Sequence, residues 1–213
     1  MNAADYDAWY DTPRGRWVGG TEYALASRLL AAQPGDSLLD VGCGTGWFTR
    51  RAAADDLRVT GLDPDSAWLE YAHAHSKPAL NWVAGDAREL PFADASFDHV
   101  LSIAALCFVD DEQRAVAECV RVTRRRFAIG WLNRNSLLYW QKGRGGGSGA
   151  YRGARWHTAG EVHALFSGLP VRNLTFHAAI FLPSASTWAC RLEQALPSVL
   201  PWGGLLLASG EKT

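Results

Sequence analysis

No cysteine pair of the C-x-x-C type occurs in this 213-residue sequence, and its four cysteines, Cys43, Cys107, Cys119 and Cys190, follow no regular spacing. That argues against a disulfide framework and reads as reduced thiols in a reducing compartment. Charge of one sign is missing as well. The formal net charge is −1 and no long block of like charge appears, so nothing draws the chain to nucleic acid or to an anionic membrane. No apolar run approaches the roughly 20 residues needed to cross a bilayer. The opening residues Asn2-Ala3-Ala4-Asp5 lack the basic and apolar regions of a secretory signal. A soluble, cytoplasmic protein without stable membrane insertion is expected. There is no internal repeat and no metal pair: His73 and His75 stand two apart in a helical stretch and so face different ways. Monomer and homodimer both stay open. What remains is 48% hydrophobic content over a length that can bury one core, hence a single expected domain, 1–213.

Against these absences stands Leu38-Leu39-Asp40-Val41-Gly42-Cys43-Gly44-Thr45-Gly46-Trp47. An apolar run that ends on an acid and three alternating glycines reads as a buried strand, a tight loop and a helix start. Glycines there let the backbone approach a ligand, and in open α/β sheets such a junction sits at the carboxyl edge, where ligands bind. The dinucleotide fingerprint requires a glycine where this chain has Trp47. Asp40, two residues before Gly42, would repel a pyrophosphate and would accept hydrogen bonds from an ammonium group.

Strands and helices alternate along the chain. Strands are expected at 38–42, 57–62, 80–84, 97–103, 126–132, 171–181 and 205–209, and helices at 21–32, 46–54, 65–74, 111–121 and 184–196. That alternation implies a parallel sheet with helices on both faces. The second strand ends on Asp63-Pro64-Asp65, with Asp63 21 residues beyond Gly42, near the roughly 20-residue spacing at which a strand-end acid reaches ribose hydroxyls. The competing role for Asp63 is to cap the helix that follows, a task Asp65 or Ser66 could do equally well. The third strand ends on Gly85-Asp86-Ala87, and Leu90-Pro91-Phe92 and Ser96-Phe97-Asp98 lead into the fourth.

With these four motifs in order across residues 38–110, the chain resembles the class I S-adenosylmethionine-dependent methyltransferases, and its Leu-Pro-Phe and Ser-Phe-Asp segments are similar to the quinone-biosynthesis type. The resemblance implies an α/β, Rossmann-like, seven-stranded and mostly parallel sheet with an antiparallel last strand. It implies S-adenosyl-L-methionine as cofactor, with contacts at Tyr10, Asp40, Gly42, Cys43, Gly44, Asp63, Pro64, Asp86, Ala87 and Ser102. Asp63 would take the ribose hydroxyls, and Asp86 and the Ala87 amide the adenine. The amino-terminal segment, 1–32, would act as lid and helix, with Tyr6 to Gly20 folding over the cofactor. The family's usual Pro-Gly-Gly turn is replaced here by Arg124-Arg125-Arg126, which reads as a solvated turn before the fifth strand.

Methyl transfer from a sulfonium is an in-line displacement whose main demand is alignment in a dry site, and a base is needed only for an acceptor that must lose a proton. Tyr10 and His157 are the candidate catalytic groups, with His99 behind them; a structural role for His157 stands beside the catalytic one. Residues 133–160, including the glycine-rich stretch 143–149, are expected to form a loop region over the active-site edge. The surrounding Tyr139, Trp140, Tyr151 and Trp156 fit either an acceptor pocket or a small core beneath that loop. A small-molecule methyl acceptor is expected, with nucleic acid excluded. A non-catalytic S-adenosylmethionine-binding protein and a nicotinamide-dependent reductase are the alternatives, the latter weakened by Trp47 and by the lack of a Tyr followed four residues later by Lys.

Overall fold

The computed structural model describes residues 2–184 and 186–213. Met1 and Ala185, which the expected domain 1–213 and the expected helix 184–196 include, lie outside the described residues.

Seven strands form one sheet: β1 (Ser37–Val41), β2 (Arg58–Asp63), β3 (Asn81–Ala84), β4 (Phe97–Ile103), β5 (Thr123–Leu132), β6 (Val171–Ala179) and β7 (Leu205–Lys212), in the order β3-β2-β1-β4-β5-β7-β6. The first five run parallel, and β7 is antiparallel to both β5 and β6. The expected architecture is therefore present. In β1, Leu38, Leu39, Asp40 and Val41 are all buried, as expected of a central parallel strand covered on both faces. One face packs on α5 (Glu112–Val122) and α6 (Ala159–Leu165) through Val116, Val120 and Val162. The other packs on α2 (Pro13–Leu30) and α3 (Trp47–Ala54) through Leu25, Ala26, Phe48 and Ala52. The remaining helices are α1 (Ala3–Tyr10), α4 (Ser66–Ala74) and α7 (Thr187–Ala195).

Two expectations need correction. The segment 6–20 is helical: α1 fills its first part, and α2 begins at Pro13 rather than at residue 21. Thr12 starts α2 by accepting from the Gly15 amide, and Pro13 fits the first helical position because its missing N–H would have no partner there. The arginine run is no turn either. Arg124, Arg125 and Arg126 lie within β5 and pair with Asp98, Asp36 and Glu211, so strand pairing sets their conformation.

Chain connections run outward from β1 through β2 to β3, then return to β4 on the other side of β1 and continue to β5. The reversal opens a crevice at the carboxyl ends of β1 and β4. Gly42, just past β1, meets Ala105, just past β4, so closely that a Cβ on Gly42 would overlap the Ala105 methyl.

Candidate active site at the carboxyl edge of the sheet

Gly42 and Gly44 have φ of +73° and +55°, a region costly for residues with a Cβ. The loop so formed is closed from both sides. The amides of Gly42 and Cys43 donate to the Leu62 carbonyl on β2 at 2.7 and 3.0 Å. The Gly44 amide donates to Asp63 Oδ2 at 2.9 Å, and the Asp65 amide donates to Asp63 Oδ1 at 3.0 Å. Each Asp63 oxygen keeps a lone pair for another donor. The helix cap is Asp65, whose carboxylate accepts from Ala67 and Trp68, so Asp63 has no capping task. Burial pushes the Asp63 carboxyl above its ordinary range.

Asp40 is buried and accepts from Thr49 Oγ1 at 2.6 Å. Burial pushes its carboxyl up to about 7. Cys43 is buried in the loop, and burial also raises its thiol. Pro64 is exposed at the end of β2. Ser102, near the end of β4, and Thr45, in the loop, are buried and their hydroxyl oxygens have no protein partner. Asp86 follows β3 with a half-exposed carboxylate held by Arg88 at 2.6 Å, a guanidinium that keeps it down at about 2. Ala87 beside it is buried.

Helix α1 lies over this loop. Tyr10 is buried and stacks on Trp47, with 4.5 Å between ring centroids and 17° between planes. Tyr6 packs on Trp68 at 4.9 Å, and the Trp68 ring reaches within 3.3 Å of where a Gly44 Cβ would be. Arg50 on α3 binds Asp7 of α1 at 2.8 Å and the Thr45 carbonyl at 2.6 Å, linking the amino-terminal helix to the glycine loop. The hydroxyls of Tyr6 and Tyr10 lie 3.5 Å apart. Burial pushes the Tyr10 phenol well above its ordinary value, which makes it a poor proton acceptor at neutral pH.

His157 is held at the carboxyl end of β5. Its Nε2 lies 3.1 Å from Glu112 Oε2, and the same buried carboxylate accepts from Trp131 Nε1 at 3.0 Å and Arg155 Nε at 2.7 Å. Backbone bonds to Leu132 and Arg134 fix the residue beside the end of β5. The ring is thus held in a network of ion pairs and hydrogen bonds. His99 is buried against Asp36 at 3.1 Å, near the start of β4 and so at the opposite edge of the sheet. The late aromatics divide: Tyr139 and Tyr151 pack on buried Trp156 at 5.3 and 5.6 Å, whereas Trp140 is exposed. Among the described residues no His, Cys, Asp and Glu cluster could hold a metal ion.

Residues 39–126 match the methyltransferase domain family. In sequence this part of the chain is thus similar to methyltransferase domains. An uncharacterized protein of Mycobacterium tuberculosis is 40% identical over 192 residues, covering 83% of this chain and 62% of its own length; the chain thus spans under two thirds of that relative. A demethylmenaquinone methyltransferase of Renibacterium salmoninarum is 39% identical over 100 residues, 47% of this chain and 42% of that one. A crystal structure of an S-adenosylmethionine-dependent methyltransferase from Thermotoga maritima has the same fold, with a TM-score of 0.77 at 23% identity over 99% of this chain and 96% of that one. No helix among the described residues is long and apolar enough to cross a membrane.

Arg50 and Trp68 flank the glycine loop and were not among the expected site residues.

Proposed function

We propose that this chain transfers a methyl group from S-adenosylmethionine to a small-molecule acceptor by in-line displacement. The observation that carries this reading is the Asp63 carboxylate: it is fixed by the Gly44 and Asp65 amides, keeps lone pairs on both oxygens, and is spared from capping α4. A carboxylate so held suits two vicinal hydroxyls. When bound, the cofactor supplies an electrophilic methyl carbon on a sulfonium. Gly42, Cys43 and Gly44 offer close backbone approach, Asp40 offers a negative end for an ammonium group, and the unpartnered hydroxyls of Thr45 and Ser102 offer further polar contacts. Asp86, with Pro64 and Ala87 nearby in sequence order along the edge, would meet the adenine end while sharing its charge with Arg88.

Tyr10 covers and orients in this reading rather than taking a proton, and His157 holds the β5 end in place. Residues 1–32 and 133–160 serve as covers of one domain. The buried thiols of Cys43, Cys107 and Cys119 fit a reducing, cytoplasmic setting. Titration calorimetry with S-adenosylhomocysteine and with NADH tests the reading. Binding of the first and not the second is expected, with affinity lost about tenfold or more in Asp63→Ala, since hydrogen bonds to a charged acceptor are worth roughly 1.5–3 kcal/mol each. Unchanged affinity in that variant, or preference for NADH, would overturn it.

A further inference from the structure

A second cleft, of about 860 Å³, lies between one face of α2 and the chain that runs from the end of β6 through α7 to Val199. Its volume is within the roughly 300–1,000 Å³ of small-molecule sites. Neither the loop 40–46 nor Asp63 nor Asp86 lines it. On α2 the lining includes Trp17, Thr21, Ala24 and Arg28, at i, i+4, i+7 and i+11, which is one face of a helix. Small side chains in the middle of that face leave the cleft open: Ala24 is exposed, and a Cβ on Gly20 would meet nothing within 4 Å. Leu25 from α2 and Ala178, Ala179 and Phe181 from the far wall form a buried apolar floor.

Three elements bring polar groups together in this cleft. Arg28 Nη2 on α2 donates to Ser198 Oγ at 3.2 Å, and His177 Nδ1 on β6 lies 3.0 Å from the same oxygen. The Ala178 amide donates to the Ser198 carbonyl, which fixes the serine against β6. Burial and then the Arg28 charge push the His177 imidazole down, so the ring is largely neutral at pH 7. Whichever nitrogen carries its proton, the His177–Ser198 pair keeps one donor to spare. If Ser198 donates to Nδ1, the Nε2–H is left; if Nδ1–H donates to Ser198, the hydroxyl proton is left. Arg28 has further N–H groups and pairs with no carboxylate among the described residues.

We propose that this cleft is a second ligand site, which takes a small monocarboxylate with an apolar body: its head group binds Arg28, His177 and Ser198, and its hydrocarbon lies along Leu25 and Phe181. Charge selects the head group. With His177 neutral, the charged lining residues are Arg16 and Arg28 against Glu193, a surplus of one positive charge. Both Glu193 oxygens are already engaged, accepting from the Ile180 and Phe181 amides at 2.6 and 2.8 Å. A carboxylate matches the surplus and accepts from a guanidinium in a planar, two-oxygen geometry. An ammonium meets the wrong sign. An alkyl phosphate, at about −1.5 to −2 near pH 7, exceeds the surplus.

The test is titration calorimetry on the full chain with four probes of one chain length, each below its micelle concentration: octanoate, 1-octanol, octylamine and octyl phosphate. Octanoate should bind about tenfold or more tightly than each of the others. Arg28→Gln should weaken octanoate about tenfold or more and leave 1-octanol unchanged, because it removes charge and not packing. Ala24→Phe should fill the cleft and weaken octanoate and 1-octanol together. Both positions are exposed, and both variants should keep the wild-type circular dichroism. Octanoate should also move the His177 imidazole signals in the NMR spectrum of the wild-type chain. Absence of octanoate binding, equal binding of octylamine or octyl phosphate, or octanoate affinity unchanged by either substitution would overturn the proposal.

Discussion

Thr49 donates a 2.6 Å hydrogen bond to Asp40, and both residues are sealed from water. Burial raises the Asp40 carboxyl from an unfolded value near 3.8 to about 7, so the folded chain binds this proton more tightly than the unfolded one. The resulting stability is fully present below about pH 4 and is lost as pH rises through about 7. Asp40→Asn should flatten the decline in unfolding free energy between pH 5 and 8, measured by urea titration at several pH values. An unchanged slope would show that Asp40 stays charged in the fold.

Gly44 should tolerate no side chain. At φ +55° any Cβ carries a left-handed penalty of about 1–2 kcal/mol, and the added carbon would crowd Trp68 at 3.3 Å. Gly44→Val is expected to keep its circular dichroism at 20 °C and lose S-adenosylhomocysteine binding in calorimetry. Full binding by this variant would mean that no ligand approaches this backbone closely.

Glu112 holds three partners at once, Trp131, Arg155 and His157. Removing one side of a buried charged cluster typically costs about 3–5 kcal/mol, so Glu112→Ala should be among the least stable single variants by thermal denaturation. His157→Gln should lose stability and keep most methyl transfer. A His157→Gln enzyme of normal stability and abolished turnover would reverse the assignment and make the histidine catalytic.

The covering segments should respond to ligand. Residues 6–20 rest on the loop through the Tyr10 and Trp47 rings and the Asp7–Arg50 ion pair. Hydrogen exchange in this segment and in 143–149 should slow when S-adenosylhomocysteine binds, because closure orders both and excludes water. Equal exchange with and without ligand would remove the lid from the mechanism, and Tyr10→Phe should turn over nearly normally.

What was legible in the sequence was contiguous and periodic. The β1 run, the three glycines and the strand-end acids Asp40, Asp63 and Asp86 announce themselves within short windows because local backbone needs dictate them. Helix α1 and the first turns of α2 did not. Pro13, Gly15, Gly19 and Gly20 look like breakers in a window, whereas in the fold Pro13 opens the helix and Gly15 and Gly19 clear space for α1. The arginines of β5 look like a solvated turn because their partners Asp98, Asp36 and Glu211 come from three other places in the chain.

Those three arginines also divide labour between the two ends of the sheet. They anchor the edge where the strands begin, joining the residue before β1 and strands β4 and β7 by ion pairs, while the edge where β1 and β4 end carries the glycine loop and its covers. Exposed pairs of this kind are worth little singly, yet together they fasten the floor without using any group the chemistry needs. Substitutions in the covers at the upper rim can therefore accumulate while the foundation stays as it was.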